Sequence, residues 1–282
     1  MTFGVFPLLA ALVVGTWNGN WFPSGRAEHR AHPEVEAATC RAAARMLADG
    51  LRRLDPDGTN DVILCLNEIR SPLVASNLVA QIGRTNLAVA VVSRYRRRDR
   101  FDQQQDVIAT TLPVAESNWS LWRRTRQVVP PRGFAHARVV VSPAVTAAVY
   151  AVHLKSNYGA TTSEVRELNR KKRELPAQQL LALECEKRGR KALPVVVAGD
   201  FNSDPWSEKF AGETTFAQFK EAGYACALEA LPPDRRGTCP SKRWGDSSFD
   251  HVLFRALKAV APPVIVPNES LSDHKAVFVL LE

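Results

Sequence analysis

Cysteine is scarce in this chain, with five residues in 282. That is too few for a disulfide scaffold, and no Cys-x-x-Cys pair or Cys/His zinc spacing occurs. Cys226 and Cys239 are near enough in sequence to bridge a loop, although unbridged thiols are the plainer reading of an odd count. Long apolar runs are missing too. The stretch Val5 to Val14 is broken by Pro7 and falls well short of the roughly 20 residues that cross a bilayer. No internal repeat or low-complexity segment is present, which sets aside fibres and disordered arrays. There is no Walker A loop, no Gly-x-Gly-x-x-Gly and no Gly-x-Ser-x-Gly elbow. Triphosphate-driven motors, dinucleotide oxidoreductases and α/β-hydrolases therefore lose ground.

What is present is an ordinary globular composition, 45% hydrophobic and 23% charged. Lys and Arg total 37 against 29 Asp and Glu, a formal charge of +8 that permits an anionic partner. Pro and Gly are scattered and mark no boundary, so residues 1–282 read as a single domain. No stable membrane insertion is expected, and a monomer is the default assembly. Residues 3–14 carry three readings: the core of a signal peptide, the first strand of the domain, or a shortened start. No Lys or Arg precedes the run, the first being Arg26, and the run flows directly into Val13-Val14-Gly15-Thr16-Trp17-Asn18.

Short β-rich runs recur: Leu9–Val14, Asp61–Leu66, Leu87–Ser93, Asp106–Thr111, Ala135–Val141, Val145–Leu154, Val195–Ala198, Phe249–Phe254 and Ala276–Leu281. Most are nearly continuous in Val, Ile and Leu, as in strands covered on one or both faces. Helical pattern lies between them. Pro33–Leu54 is amphipathic, Ser71-Pro72 reads as an N-cap and first-turn proline, and Thr162 or Ser163 caps a long basic helix. Pro176 is expected to end or kink that helix, and a further helix is expected within Glu208–Ala222. Strands mixed with helices indicate an α/β layered domain, and the turn at Ser142-Pro143 implies some antiparallel pairing.

The informative residues are polar groups where apolar runs stop: Asn18, Glu68, His153, Lys155, Asn157, Asp200, Asn202, Asp250, Asp273 and His274. Taken singly, each is an ordinary turn residue. Taken together, carboxylates, amides and imidazoles at the ends of strands in one sheet converge on one rim. Carboxylates brought that close repel unless a cation joins them. Oxygen donors with little cysteine favour Mg²⁺, Mn²⁺ or Ca²⁺ over zinc. Such a set suits hydrolysis of a phosphate ester.

Thr16-Trp17-Asn18, Leu66-Asn67-Glu68-Ile69-Arg70, Val152-His153-Leu154-Lys155-Ser156-Asn157, Gly199-Asp200-Phe201-Asn202, Phe249-Asp250-His251 and Ser272-Asp273-His274 resemble the ordered motifs of the endonuclease/exonuclease/phosphatase superfamily. The resemblance runs from about residue 9 to 281. It implies a four-layer sandwich, two packed mixed β-sheets flanked by helices, and a divalent metal, Mg²⁺ first and Mn²⁺ or Ca²⁺ next. By that resemblance Glu68 is the principal metal ligand, with Asn18 and Asp273 close by. Asp200 orients or deprotonates the attacking water, and Asn202 donates to the scissile phosphate. His274 pairs with Asp250, His153 is a second imidazole, and Arg70 contacts substrate. A Glu partner for the second histidine is missing from Val91–Arg98, where Arg and Tyr stand instead. Lys155 and Asn157 read as extra phosphate contacts.

Alternation along a strand turns His251 away from Asp250 and makes it structural. His29, His32 and His136 lack motif context and read as surface residues. Between Arg94 and Arg138 ten Arg face four acids. Trp119 and Trp122 lie among them, either as a stacking surface or as a loop tucked against the core. That positive surface favours nucleic acid as substrate and a nuclease as the function. Two alternatives remain beside it: a phosphodiesterase or phosphatase acting on lipid headgroups or small phosphates, and an inactive nucleic-acid-binding member of the fold.

Overall fold

The computed structural model describes residues 11–25, 31–97, 100–101, 103–188, 193–241, 245–268 and 270–282. Residues 3–10 of the apolar run and His29 lie outside these. Among these residues, fourteen strands and four α-helices follow one another. They are β1 (Leu12–Phe22), α1 (Pro33–Leu54), β2 (Asp61–Ile69), α2 (Pro72–Gln81), β3 (Ala88–Val92), β4 (Arg96–Arg97), β5 (Arg100–Phe101), β6 (Gln105–Thr110), β7 (Val114–Leu121), β8 (Gly133–Ser142), β9 (Val145–His153), α3 (Ser163–Arg188), β10 (Val195–Asp200), α4 (Thr215–Glu221), β11 (Ala225–Cys226), β12 (Asp250–Arg255), β13 (Val264–Val266) and β14 (Ala276–Leu281).

Two six-stranded sheets result, ordered β13-β14-β1-β2-β6-β3 and β11-β12-β10-β9-β8-β7. Both are mixed: β1 runs parallel to β2 and β9 parallel to β10, and the other pairs within the two sheets are antiparallel. The layers follow from alternation along the strands. In β1, Leu12 and Val14 face the other sheet and pack with Val149, Ala151 and Val196, while Val13 and Trp17 face α1 and α2. On the far side Tyr150, Val152 and Val197 pack against Ala177 and Leu180 of α3 and Phe219 of α4. This is the four-layer sandwich expected from the motifs. Burial on both faces is why these strands read as unbroken apolar runs.

The Ser71 hydroxyl accepts from Val74 N–H at 3.3 Å and caps α2, as its Ser-Pro start implied. Thr162 does the same for α3, accepting from Val165 N–H at 3.3 Å. Pro176 neither ends nor splits that helix, contrary to expectation; α3 runs through it. Contacts pin both halves: Arg173 is tied to Glu213 and to the Lys155 carbonyl, and Ala177 and Leu180 are locked into the core. The short helix expected within Glu208–Ala222 is α4, preceded by a single turn at Glu208–Phe210. Strands β7 and β13 were not anticipated. All eight residues of β7 are exposed, so no apolar pattern announces it.

Candidate active site

The rim forms where both sheets end on the same side. Asn18 and Glu68 sit near the ends of the parallel pair β1 and β2, and His153 and Asp200 end the parallel pair β9 and β10. Asp250 opens β12 directly across from Asp200, and His274 lies just before β14. The register of β1 with β2 slips after Asn18, and that of β2 with β6 slips after Leu66. Bulges of this kind re-aim side chains beside functional sites. Asn20, Trp21, Glu68 and Asn202 all have positive φ, between 48° and 60°, a conformation that non-glycine residues hold only at a cost. Gly199 has φ +145°, and a Cβ there would stand 1.9 Å from the Val152 carbonyl oxygen. Only glycine lets β10 pass β9 this closely one residue before Asp200.

Asp200 is the hub. Its Oδ2 accepts from Asn18 Nδ2 at 2.8 Å and from Asn202 Nδ2 at 2.9 Å, and its Oδ1 accepts from Asn202 N–H at 2.8 Å. Its own N–H donates to Asn67 Oδ1 at 3.0 Å. The Asn18 amide also reaches Glu68 Oε1 at 3.3 Å, so one NH₂ group clamps two carboxylates. His153 Nε2 is 3.6 Å from both Glu68 Oε1 and Asp200 Oδ2. On the other side His274 Nε2 is 3.9 Å from Asp200 Oδ2, and its Nδ1 is 2.7 Å from Asp250 Oδ2. Asp273, more than half exposed at the mouth, brings Oδ1 to 3.9 Å from His274 Nε2.

The two imidazoles are driven in opposite directions. Burial depresses the proton affinity of His153, and the charges of Arg132, His274 and Lys155 depress it further, leaving it neutral. Burial also works against charge on His274, but the Asp250 and Asp200 carboxylates outweigh it and hold that ring protonated well above its ordinary range. Burial pushes Asp200 up to about 7, against the His274 charge that pulls it down. Groups whose environments separate their proton affinities in this way divide acid and base work between them.

The donor set fits a hard divalent cation. Glu68, Asp200 and Asp250 are buried, and Asp250 Oδ1 has no hydrogen-bond partner among the described residues. One imidazolium does not balance three buried carboxylates. Ligand atoms of Asp200, Asp250 and His274 lie within 4.8 Å of one another. That trio is already joined by the His274–Asp250 bond, and a protonated ring does not ligate. Glu68, whose two oxygens each accept one hydrogen bond, from Asn18 and from Trp21 N–H, and the exposed Asp273 keep lone pairs for a cation.

Several expected residues are engaged otherwise. Arg70 forms a two-pronged ion pair with Glu36 of α1, which ties β2 to that helix. The Asn202 amide is spent on Asp200 and the Leu154 carbonyl, and is therefore oriented toward the carboxylate. Asn157 Oδ1 accepts from Arg173 at 3.2 Å. Lys155 is half-buried, with its ammonium on the Ser156 carbonyl. His251 is structural as expected, packed against Phe216, Phe201 and Trp206 with Nε2 on the Ser248 carbonyl. His136, expected at the surface, is buried within β8 and tilts onto Tyr150 at 4.7 Å, because that face of the sheet is covered. Trp122 is buried on Phe134, whereas Trp119 stays partly exposed on β7, edge-on to Tyr95. All five cysteines are free, so Cys226 and Cys239 are not bridged.

Two supports were missed in the sequence. Thr238, fully buried, donates its hydroxyl to Asp250 Oδ2 at 2.7 Å and accepts from Asp250 N–H at 3.0 Å. Asp106 accepts from Asn67 Nδ2 at 2.7 Å and from the Tyr95 hydroxyl at 2.8 Å. Asn67 thus bridges Asp106 and the Asp200 backbone. Tyr95 lies in the segment that offers no carboxylate to His153, and Asp106 of β6 does not supply one: it bonds Tyr95 and Asn67, and His153 Nδ1 has no hydrogen-bond partner among the described residues.

The model of the endonuclease/exonuclease/phosphatase family matches residues 15–274, from β1 to His274. The chain belongs to that family. Its members are phosphoesterases, and they generally use divalent metals. No curated protein matches the sequence. Among solved structures, D. rerio TDP2 complexed with single-strand DNA product is 15% identical, with 96% of this chain and 99% of that chain covered and a TM-score of 0.61. Sphingomyelinase C from Streptomyces griseocarneus is 17% identical over 96% and 99% of the two chains, with a TM-score of 0.61. An endonuclease/exonuclease/phosphatase from Beutenbergia cavernae is 17% identical over 97% and 72%, with a TM-score of 0.63. At these identities the likeness is one of fold. It shows that very different family members share the sandwich.

Proposed function

We propose that this chain is a divalent-metal-dependent nuclease that hydrolyses phosphodiester bonds of a nucleic-acid strand. The observation that carries the reading is the convergence on Asp200 of a neutral imidazole, His153, and a cationic one, His274, beside Glu68. Glu68 and Asp273 would hold the cation, with Asn18 fixing Glu68 against Asp200. A divalent ion held there would supply charge neutralisation at a phosphate oxygen. Asp200, with a proton affinity near neutrality, orients water and takes its proton. Asn202 and Asn18 keep its carboxylate in place. The His274 imidazolium, held by Asp250, stabilises charge growing on the phosphoryl oxygens. His153, uncharged, donates or accepts a hydrogen bond without adding charge.

Charge and exposure favour a polyanionic strand. Arg94, Arg96, Arg123, Arg124 and Arg126 are exposed, and Trp119 offers a partly exposed ring beside Tyr95 for a base to stack on. The test is a panel of single- and double-stranded oligonucleotides, phosphocholine lipids and phosphate monoesters, each with Mg²⁺ and with chelator. Metal-dependent strand cleavage, lost in Asp200→Ala and His274→Ala with the melting temperature retained, is the expected result. Release of phosphocholine or phosphate with intact strands refutes the nuclease reading. Strand binding with no turnover of any substrate refutes hydrolysis.

A further inference from the structure

The chain that leaves the site after β9 is braced along its length. Leu154 N–H donates to the Asp200 carbonyl at 2.8 Å, and the Leu154 carbonyl accepts from Asn202 Nδ2 at 3.2 Å and from Arg132 at 3.3 Å. Arg173 of α3, almost wholly buried, donates to the Lys155 carbonyl at 2.8 Å and to Asn157 Oδ1 at 3.2 Å. Glu213 meets the charge of that guanidinium, so a buried ion pair lies under the loop. The Ser156 hydroxyl accepts from Tyr158 N–H at 2.9 Å. Residues 157–160 close a β-turn, with Ala160 N–H on the Asn157 carbonyl at 2.9 Å. Gly159, third in that turn, has φ +76°, which a glycine takes without strain.

This bracing presents Tyr158. It is 88% exposed, against 37% for Trp119 and 36% for Trp206. Among the described residues its ring touches no other ring and its hydroxyl makes no hydrogen bond. Five residues of chain extend at most about 18 Å, so the Tyr158 backbone stands within that distance of His153. A tyrosine ring is flat, amphipathic and fixed by two side-chain torsions, which suits it to the face of a base. A ring held out by an ordered turn has less freedom left to lose when a base stacks on it.

We infer that Tyr158 is a stacking platform for a nucleobase flanking the scissile phosphate, which rests on the strand substrate proposed above. The consequence is a preference for strands that carry a base there over the bare sugar–phosphate chain. Binding is read first, in chelator, by fluorescence anisotropy of a labelled single-stranded oligothymidylate and of a strand of equal length built from abasic tetrahydrofuran units. Tyr158→Ala weakens the oligothymidylate about tenfold and leaves the abasic strand unaltered. The slope of log affinity against log salt stays the same, because no phosphate contact is lost. Tyr158→Phe and Tyr158→Trp, which keep a ring, bind as wild type does. Turnover follows, with Mg²⁺: kcat/KM on the oligothymidylate falls about tenfold in Tyr158→Ala, at an unaltered melting temperature.

Equal losses on the two strands, or a loss in Tyr158→Phe as large as in Tyr158→Ala, give the hydroxyl to the sugar–phosphate chain and overturn the platform. Unaltered affinity in Tyr158→Ala overturns it whatever the protein cleaves, as does wild-type protein that fails to bind the strand. Wild-type protein that binds the strand through Tyr158 but cleaves nothing refutes the proposed function and leaves the platform standing.

Discussion

Asp106 is a buried acid whose effect on stability runs opposite to that of a salt-bridged one. It accepts hydrogen bonds from Asn67 and Tyr95, and Arg132 lowers its proton affinity, yet burial outweighs all three and pushes it up to about 7 from 3.8. An acid that binds its proton more tightly folded than unfolded costs stability as pH rises. Below about pH 4 both states are protonated and the cost is absent. Between pH 4 and 7 the unfolded chain ionises while the native one does not, so stability falls by about 1.4 kcal/mol per pH unit. Above pH 7 the cost levels off at roughly 4 kcal/mol. Asn is a neutral mimic of the protonated acid: its carbonyl accepts from Asn67 and its NH₂ faces Tyr95. Asp106→Asn therefore removes the pH-dependent cost. Asp200 shifts in the same direction, so the informative quantity is the difference between wild type and variant, measured by thermal melting in chelator from pH 4 to 8. The melting temperature of the variant should gain on wild type across that interval by roughly 7 °C, given the unfolding entropy of a chain this size. Melting curves that keep a constant separation across the range would show Asp106 ionised in the native protein and refute the reasoning.

Three further outcomes are expected. Gly199→Ala places a methyl 1.9 Å from the Val152 carbonyl at φ +145°, and should cost about 3 kcal/mol or more in denaturant unfolding and displace Asp200. Thr238→Val leaves Asp250 with the His274 bond alone; kcat should drop about tenfold with KM little changed, and Thr238→Ser should recover most of it, as for a lost positioning hydrogen bond. Arg70→Ala strips Glu36 of its partner and should lower stability by about 2 kcal/mol, read by denaturant melting. A tenfold rise in KM at unaltered stability would return Arg70 to the substrate.

The residues that could be read from sequence share one property: each ends an apolar run. Glu68, His153, Asp200, Asp250 and His274 stand at or beside the ends of β2, β9, β10, β12 and β14, and Asn18 stands where the apolar run of β1 gives way at its register slip; the end of an apolar run is a local signal. The sheets then had to bring the six together, and the family resemblance supplied that step. Their supports carry no such signal. Asp106 lies inside β6, where its neighbours Val107, Ile108 and Ala109 give it the look of an ordinary strand start. Thr238 and Arg132 come from loops between strands, and nothing in their flanking residues says which carboxylate or carbonyl they will meet. Pro176 misled for the complementary reason: its local propensity to break a helix is real, but Arg173 on one side and Leu180 on the other fasten α3 to the rest of the molecule.

This division has a consequence for specificity. The groups that converge on Asp200 are held by strands of the two-sheet core. Around them, Trp119 sits on the exposed edge strand β7, and Arg123, Arg124 and Arg126 are exposed just beyond it. Such positions can change without disturbing the two-sheet core, since edge and loop residues pack against few neighbours. A scaffold shared at 15–17% identity by a DNA-bound TDP2 and a sphingomyelinase is the expected product of that arrangement. The converging groups are anchored in the buried layers, and the residues around them lie on surface that can vary.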